Sequence, residues 1–153
     1  MKIQWKKLLL CTALPLAVGG LAAFLIKDNI VIFKLLKKPP LAPPEWLFPV
    51  AWTILYVLMG VASYLVLSSD GQNRDALILY GVQLVFNFFW PILFFNAEAF
   101  LLSSVWIIIL WFLILATMLR FFKISKAAGW LLLPYLLWVS FATYLNVSIY
   151  LLN

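Results

Sequence analysis

The chain has 153 residues, 67% of them apolar and only 10% charged, whereas a soluble domain is roughly half apolar and about a quarter charged. A water-soluble globule of this length is excluded, because too few polar residues are present to cover its surface. The net charge of +6 does not point to nucleic acid, since the basic residues fall in short clusters between apolar runs, where phospholipid headgroups are the natural partner.

Five runs reach the length of about 20 apolar residues that a helix needs to cross the hydrocarbon. They extend from Leu8 to Ile26, Trp46 to Leu67, Ala76 to Phe95, Phe100 to Phe122 and Ala128 to Leu152. Transmembrane strands would alternate apolar and polar residues, and these runs are apolar on every face. The fold class is therefore all-α, an integral membrane bundle of five transmembrane helices. No linker is long enough to separate two domains, so residues 1–153 are read as one unit.

In the first run, Lys2, Lys6 and Lys7 ahead of Leu8 to Leu16, with small residues beyond, also describe a secretory signal peptide. The apolar stretch continues to Ile26 without a clean cleavage motif, which favours a retained span. Small residues at Ala13 and Ala17, and at Gly19 and Ala23, suit close helix contacts, within the chain or between the subunits of a homodimer. Cys11 is the only cysteine, so no disulfide framework or thiolate metal site can form within the chain.

The connection at residues 27–45 carries Lys27, Lys34, Lys37 and Lys38 before the Pro39-Pro40 and Pro43-Pro44 pairs, and cannot be a continuous helix. Its piece from Ile30 to Leu36 is apolar enough to lie on the mouth of the bundle as a lid held by prolines. A mere tether at the headgroups fits the composition equally well. The next short connection but one, Asn96-Ala97-Glu98, makes the third and fourth spans an antiparallel hairpin. The N-terminal side carries Lys2, Lys6, Lys7, Arg74, Lys123 and Lys126 with Arg120 close by, against four lysines opposite. This balance favours a cytoplasmic N-terminus.

Polar side chains inside spans face the bundle interior or a cavity. Gln83 and Asn87 share a helix face at i and i+4, and Trp90 and Phe94 continue it. In the last span Trp138, Ala142 and Leu145 align, with Ser140, Thr143 and Asn146 on neighbouring faces. For any single residue, hydrogen bonding between helices is the simpler account. Trp5 and Trp46 sit at span edges and need only the aromatic belt. Trp52, Trp90 and Trp138 lie well inside, where an indole N–H requires a partner, and a ligand offers one.

Three stretches carry a family likeness: Pro49-x-x-Trp52-Thr53-x-Leu55-Tyr56-x-x-Met59-Gly60, then Gln83-Leu84-x-x-Asn87-x-x-Trp90-Pro91-x-x-Phe94-Phe95, then Leu133-Pro134-Tyr135-x-x-Trp138-x-x-Phe141-Ala142-Thr143-x-Leu145-Asn146. With Lys38-Pro39 and Pro43-Pro44 in the first connection, this pattern closely resembles the TspO/MBR family of tryptophan-rich sensory and translocator proteins. The resemblance implies a five-helix bundle that binds porphyrins and other tetrapyrroles under a first-loop lid, with sterols and benzodiazepine-type drugs as ligands of some members. It implies roles in stress signalling, sensing or transport, and in light-dependent porphyrin breakdown. The positions matching Trp52 and Trp138 would line the pocket and take part in that breakdown. Asn87, Trp90 and Ala142 would lie on the same cavity, with Phe33, Pro43 and Gln83 as further ligand contacts.

Two departures matter. Phe33 stands where a tyrosine is common, which removes a hydroxyl contact, and Tyr150 is followed by no basic residue, which weakens the sterol reading. The expected arrangement is a tetrapyrrole between Trp52 and Trp138, its carboxylates reaching Lys34, Lys37 and Lys38. The chain has no His, so an iron porphyrin would lack its normal axial ligand and a metal-free ring is favoured. No metal site and no acid–base constellation is visible, so hydrolysis and group transfer are not expected. Binding ranks first, light-dependent breakdown second, and sterol or small-molecule transport third.

Overall fold

The computed structural model describes residues 2–153. The helices are α1 (Trp5–Ile26), α2 (Ile32–Leu35), α3 (Leu47–Leu67), α4 (Arg74–Pro91), α5 (Phe100–Ile124), α6 (Lys126–Leu131) and α7 (Leu133–Leu152), with a π-helical turn at Ile92–Asn96 continuing α4. No strand occurs among the described residues. Five helical segments are long and apolar enough to cross a membrane: Trp5–Ile26, Leu47–Leu67, Arg74–Asn96, Phe100–Ile124 and Lys126–Leu152. Large side chains such as Leu10, Phe24, Phe112 and Leu137 point outward, as lipid-facing positions require. The chain is a multi-pass membrane protein.

The expected spans and the observed helices differ mainly at their ends, because charged residues extend a helix into the headgroup layer. The first helix begins at Trp5 and the third span at Arg74. Two proline effects were not expected. Pro91 has no N–H and crowds the carbonyl one turn back, and beyond it the ladder changes register, with Ala97 N–H donating to Ile92 O at 3.0 Å. The last span is divided at Leu132 ahead of Pro134 into α6 and α7. Ser125 starts it, its hydroxyl accepting from Ala128 N–H at 3.3 Å as an N-cap.

The bundle has a solid half and a hollow half. In the half nearer the N-terminus, Met59, Ala62, Val66, Ile107, Leu110, Ile114, Phe121 and Val139 are fully buried in one core. There α1 lies hard against α3: the missing side chain of Gly60 lets the backbone of Cys11 and Thr12 come into contact. Gly60 thus serves close helix approach and does not line the cavity of the hollow half. Gln4 N–H donates to the Tyr64 hydroxyl at 2.9 Å, fastening the start of α1 to the end of α3.

The opposite half faces the first connection. Phe33 of α2 is buried against Phe94 and Ile149, with Leu36, Phe48 and Phe100 around them. Asparagines hold this end together. Asn29 donates to Asn96 at 2.7 Å, and Asn96 to the Leu25 carbonyl at 3.0 Å. The Asn153 side chain accepts from Lys37 N–H at 3.1 Å and donates to the Lys37 carbonyl at 3.0 Å.

Candidate functional site

Four helices present matching stripes to the hollow half. On α1 these are Gly19, Ala22, Ala23 and Ile26; on α4 and its π turn, Asn87, Trp90, Pro91 and Phe94; on α7, Ala142, Leu145, Asn146 and Ile149. Each set follows the i, i+3, i+4, i+7 spacing of one helix face. Phe48, Trp52 and Tyr56 form the corresponding face of α3 at intervals of one turn. Small residues on α1 and α7 leave space that the rings of α3 and α4 border. The result is a cavity of about 490 Å³, to which Ile30 and Phe33 add from the first connection and Glu45 and Trp46 from the approach to α3. This volume is that of an ordinary small-molecule site, roughly 300–1,000 Å³.

Its aromatic wall is continuous. Trp52 stacks on Tyr56 with ring centroids 5.6 Å apart, and lies 6.2 Å from both Trp90 and Tyr135. The Tyr56 ring also lies directly on Gly19, where a Cβ would collide with it. Trp90 in turn packs on Phe94 at 6.1 Å.

Tyr56, Asn87, Trp90 and Asn146 on this wall find polar partners within the protein. Tyr56 OH donates to Asn87 Oδ1 at 2.8 Å, Asn87 Nδ2 donates to the Tyr135 hydroxyl at 2.7 Å, and Tyr135 OH donates to Gln83 Oε1 at 2.6 Å. Trp90 Nε1 donates to Asn146 Oδ1 at 2.8 Å, while Asn146 Nδ2 donates to the hydroxyls of Ser104 and Ser103 at 2.8 and 3.1 Å. The cavity therefore offers mainly rings and methyl groups, with the Trp52 indole and the Glu45 carboxylate as polar groups outside these networks. Both expected uses of these residues coexist: Asn87, Trp90 and Asn146 border the cavity and also join helices.

Tyr135→Phe tests the first network. It removes the donor to Gln83, whose Nε2 already has no partner, and the acceptor of Asn87. The expected loss is about 1–2 kcal/mol, since a buried unpaired group costs roughly 1–3 kcal/mol but membrane hydrogen bonds average less. Thermal unfolding in detergent measures it, and an unchanged midpoint would show the network to be idle.

Five of the expected ligand contacts, Phe33, Trp52, Asn87, Trp90 and Ala142, line the cavity. Pro43, Gln83 and Trp138 do not. Gln83 is buried one turn deeper with Tyr135. Trp138 packs against Phe48 and Phe141, each at 5.8 Å, so a phenyl ring stands between its indole and the cavity. Its Nε1 is buried without a partner. Trp52 thus faces Trp90, not Trp138, across the nearest approach of indoles.

The expected lysine cluster is also rearranged. Lys38 turns its ammonium inward, donating to the carbonyls of Phe33 at 2.6 Å and Leu36 at 3.3 Å and lying 4.8 Å from the Phe33 ring centre. Lys34 faces Glu45 at 3.8 Å. Lys37 is exposed and fixed through its backbone. No group of three or more potential metal-ligating residues occurs among the described residues.

The TspO/MBR family profile matches residues 11–152 of the chain. The chain belongs to the TspO/MBR family. It is 42% identical over 157 aligned positions to the tryptophan-rich protein TspO of Chlorobaculum tepidum, covering 100% of this chain and 99% of that protein. It is 40% identical to the tryptophan-rich sensory protein of Cereibacter sphaeroides, over 77% of this chain and 74% of that protein. Similarity reaches the human translocator protein, 34% identical over 75% of this chain and 70% of that protein. Within this TspO/MBR chain, sequence reasoning passed over Tyr56, Phe48 and Glu45 as cavity residues. For the two rings a signal existed, because each lies one helical turn from Trp52. Glu45 carried none, since its place depends on how the first connection folds back.

Proposed function

We propose that this membrane protein binds tetrapyrroles and similar flat hydrophobic ligands inside its bundle, holding them for sensing, sequestration or transfer. The observation that carries this reading is the cavity of about 490 Å³ walled by Trp52, Trp90, Phe48 and Phe94, with Tyr56, Asn87, Trp90 and Asn146 already paired within the protein. A planar apolar guest gains stacking and burial there, at roughly 25 cal/mol per Å² of apolar surface removed from water. The first connection acts as the lid, with Phe33 as its inward plug. The basic excess on the N-terminal side supports a cytoplasmic N-terminus.

The test is a titration of the purified protein with protoporphyrin, following tryptophan fluorescence and the ligand's absorbance band. Saturable quenching with a shifted band is expected, and it should weaken at least tenfold when Trp52 and Trp90 are both replaced by leucine. Quenching that rises linearly without saturation would overturn the assignment.

A second reading, light-dependent breakdown of the bound ring, is favoured by one observation: Trp52 lies within 6.2 Å of three other aromatic rings, Tyr56, Trp90 and Tyr135. Light absorbed by the ligand would drive it with dioxygen as the oxidant, the indoles serving as electron donors or oxidation relays. Illumination of the complex in air separates the readings, since binding alone leaves the ligand's absorbance no faster to fade than in detergent.

A further inference from the structure

We infer that Glu45 sets the charge preference of the cavity, by holding Lys34 in competition with any acidic group on the ligand. This rests on the reading that flat hydrophobic molecules occupy the cavity, and adds which of them are favoured.

Among the described residues, Glu45 is the one charged side chain on the cavity wall. An ionised carboxylate is too costly to hold in the apolar interior, so its position marks the mouth. The cations near it are not equivalent. Lys38 is committed to two carbonyls of its own loop. Lys27 lies 4.2 Å from the Phe24 ring centre at the end of α1. Lys34 is the cation that meets the mouth, and Glu45 Oε2 is its partner at 3.8 Å.

That pair is built to exchange. The distance is at the long limit of an ion pair, and the side chains are 63% and 42% exposed. Exposed pairs of this kind are weak. A ligand carboxylate arriving at the mouth shares Lys34 with Glu45 or displaces it, and in either case sits beside a second negative charge. A neutral ligand disturbs neither. The wild-type mouth therefore discriminates against acidic ligands relative to their uncharged analogues.

The experiment compares protoporphyrin, which carries two carboxylates, with its dimethyl ester, using the full chain in neutral detergent. Glu45→Gln is expected to raise affinity for the free acid about three- to fivefold relative to the ester, the range of an exposed charge pair. Lys34→Gln should cancel that gain when combined with Glu45→Gln. The difference should shrink in high salt as the charges are screened. Equal shifts for both ligands, or an unchanged affinity for the acid while the ester binds normally, would overturn the role of Glu45. Failure of the ester to bind the wild-type protein would instead remove the cavity reading itself.

Discussion

Replacing Gly60 by valine is expected to lower the melting temperature of the detergent-solubilised protein by roughly 10 °C. The first added carbon meets the Cα of Thr12 and the carbonyl oxygen of Cys11. These are backbone atoms of a neighbouring helix and cannot swing aside, so α1 must move away from α3 along its length. Forced overpacking typically costs about 1–3 kcal/mol. The upper end applies here, and a chain of this size loses some 2–4 °C per kcal/mol. Gly20→Val is the matched control: a Cβ there has no neighbouring atom within 4 Å, and the melting temperature should hold. Equal behaviour of the two variants would mean that α1 does not pack on α3 through Gly60.

Ala142→Phe should abolish most ligand affinity while sparing the fold. Ala142 is buried on the cavity wall, so the added ring enters space that the proposed ligand would use. Denying the ligand roughly 100 Å² of apolar contact at about 25 cal/mol per Å² amounts to some 2.5 kcal/mol, or around 50-fold in affinity. The protoporphyrin titration measures this. Ile114→Ala supplies the contrast, because Ile114 is fully buried in the solid half and lines no part of the cavity. It should reduce stability and leave affinity within a factor of two. Undiminished binding to the Ala142 variant would place the ligand elsewhere.

The five spans were legible because crossing hydrocarbon demands a run of apolar residues that few other structures contain. Much of the cavity was legible for a related reason. Polar and indole side chains inside a span must turn inward, and helical spacing says which of them share a face. That argument turned Asn87 and Trp90 to one inward face, the family resemblance added Trp52 and Ala142, and all four line the cavity. It went astray at Trp138, because spacing along α7 fixes a direction but not what intervenes, and Phe48 of α3 intervenes. The lysines were misjudged for a different reason. In sequence each is one positive charge, and only the folded loop decides that Lys38 satisfies its own carbonyls while Lys34 meets Glu45. Gln83 shows the limit of facing arguments, since an inward amide can end in a hydrogen bond just below the cavity floor.

The tie between Lys37 and Asn153 joins positions 116 residues apart. During synthesis the N-terminal helices enter the bilayer first, and the stretch around Lys37 waits for a partner that follows α7, 116 residues later. Until then the chamber has three of its walls and an unfastened roof. A nascent chain stopped before α7 therefore lacks both the fourth wall of the cavity and the tie that closes it.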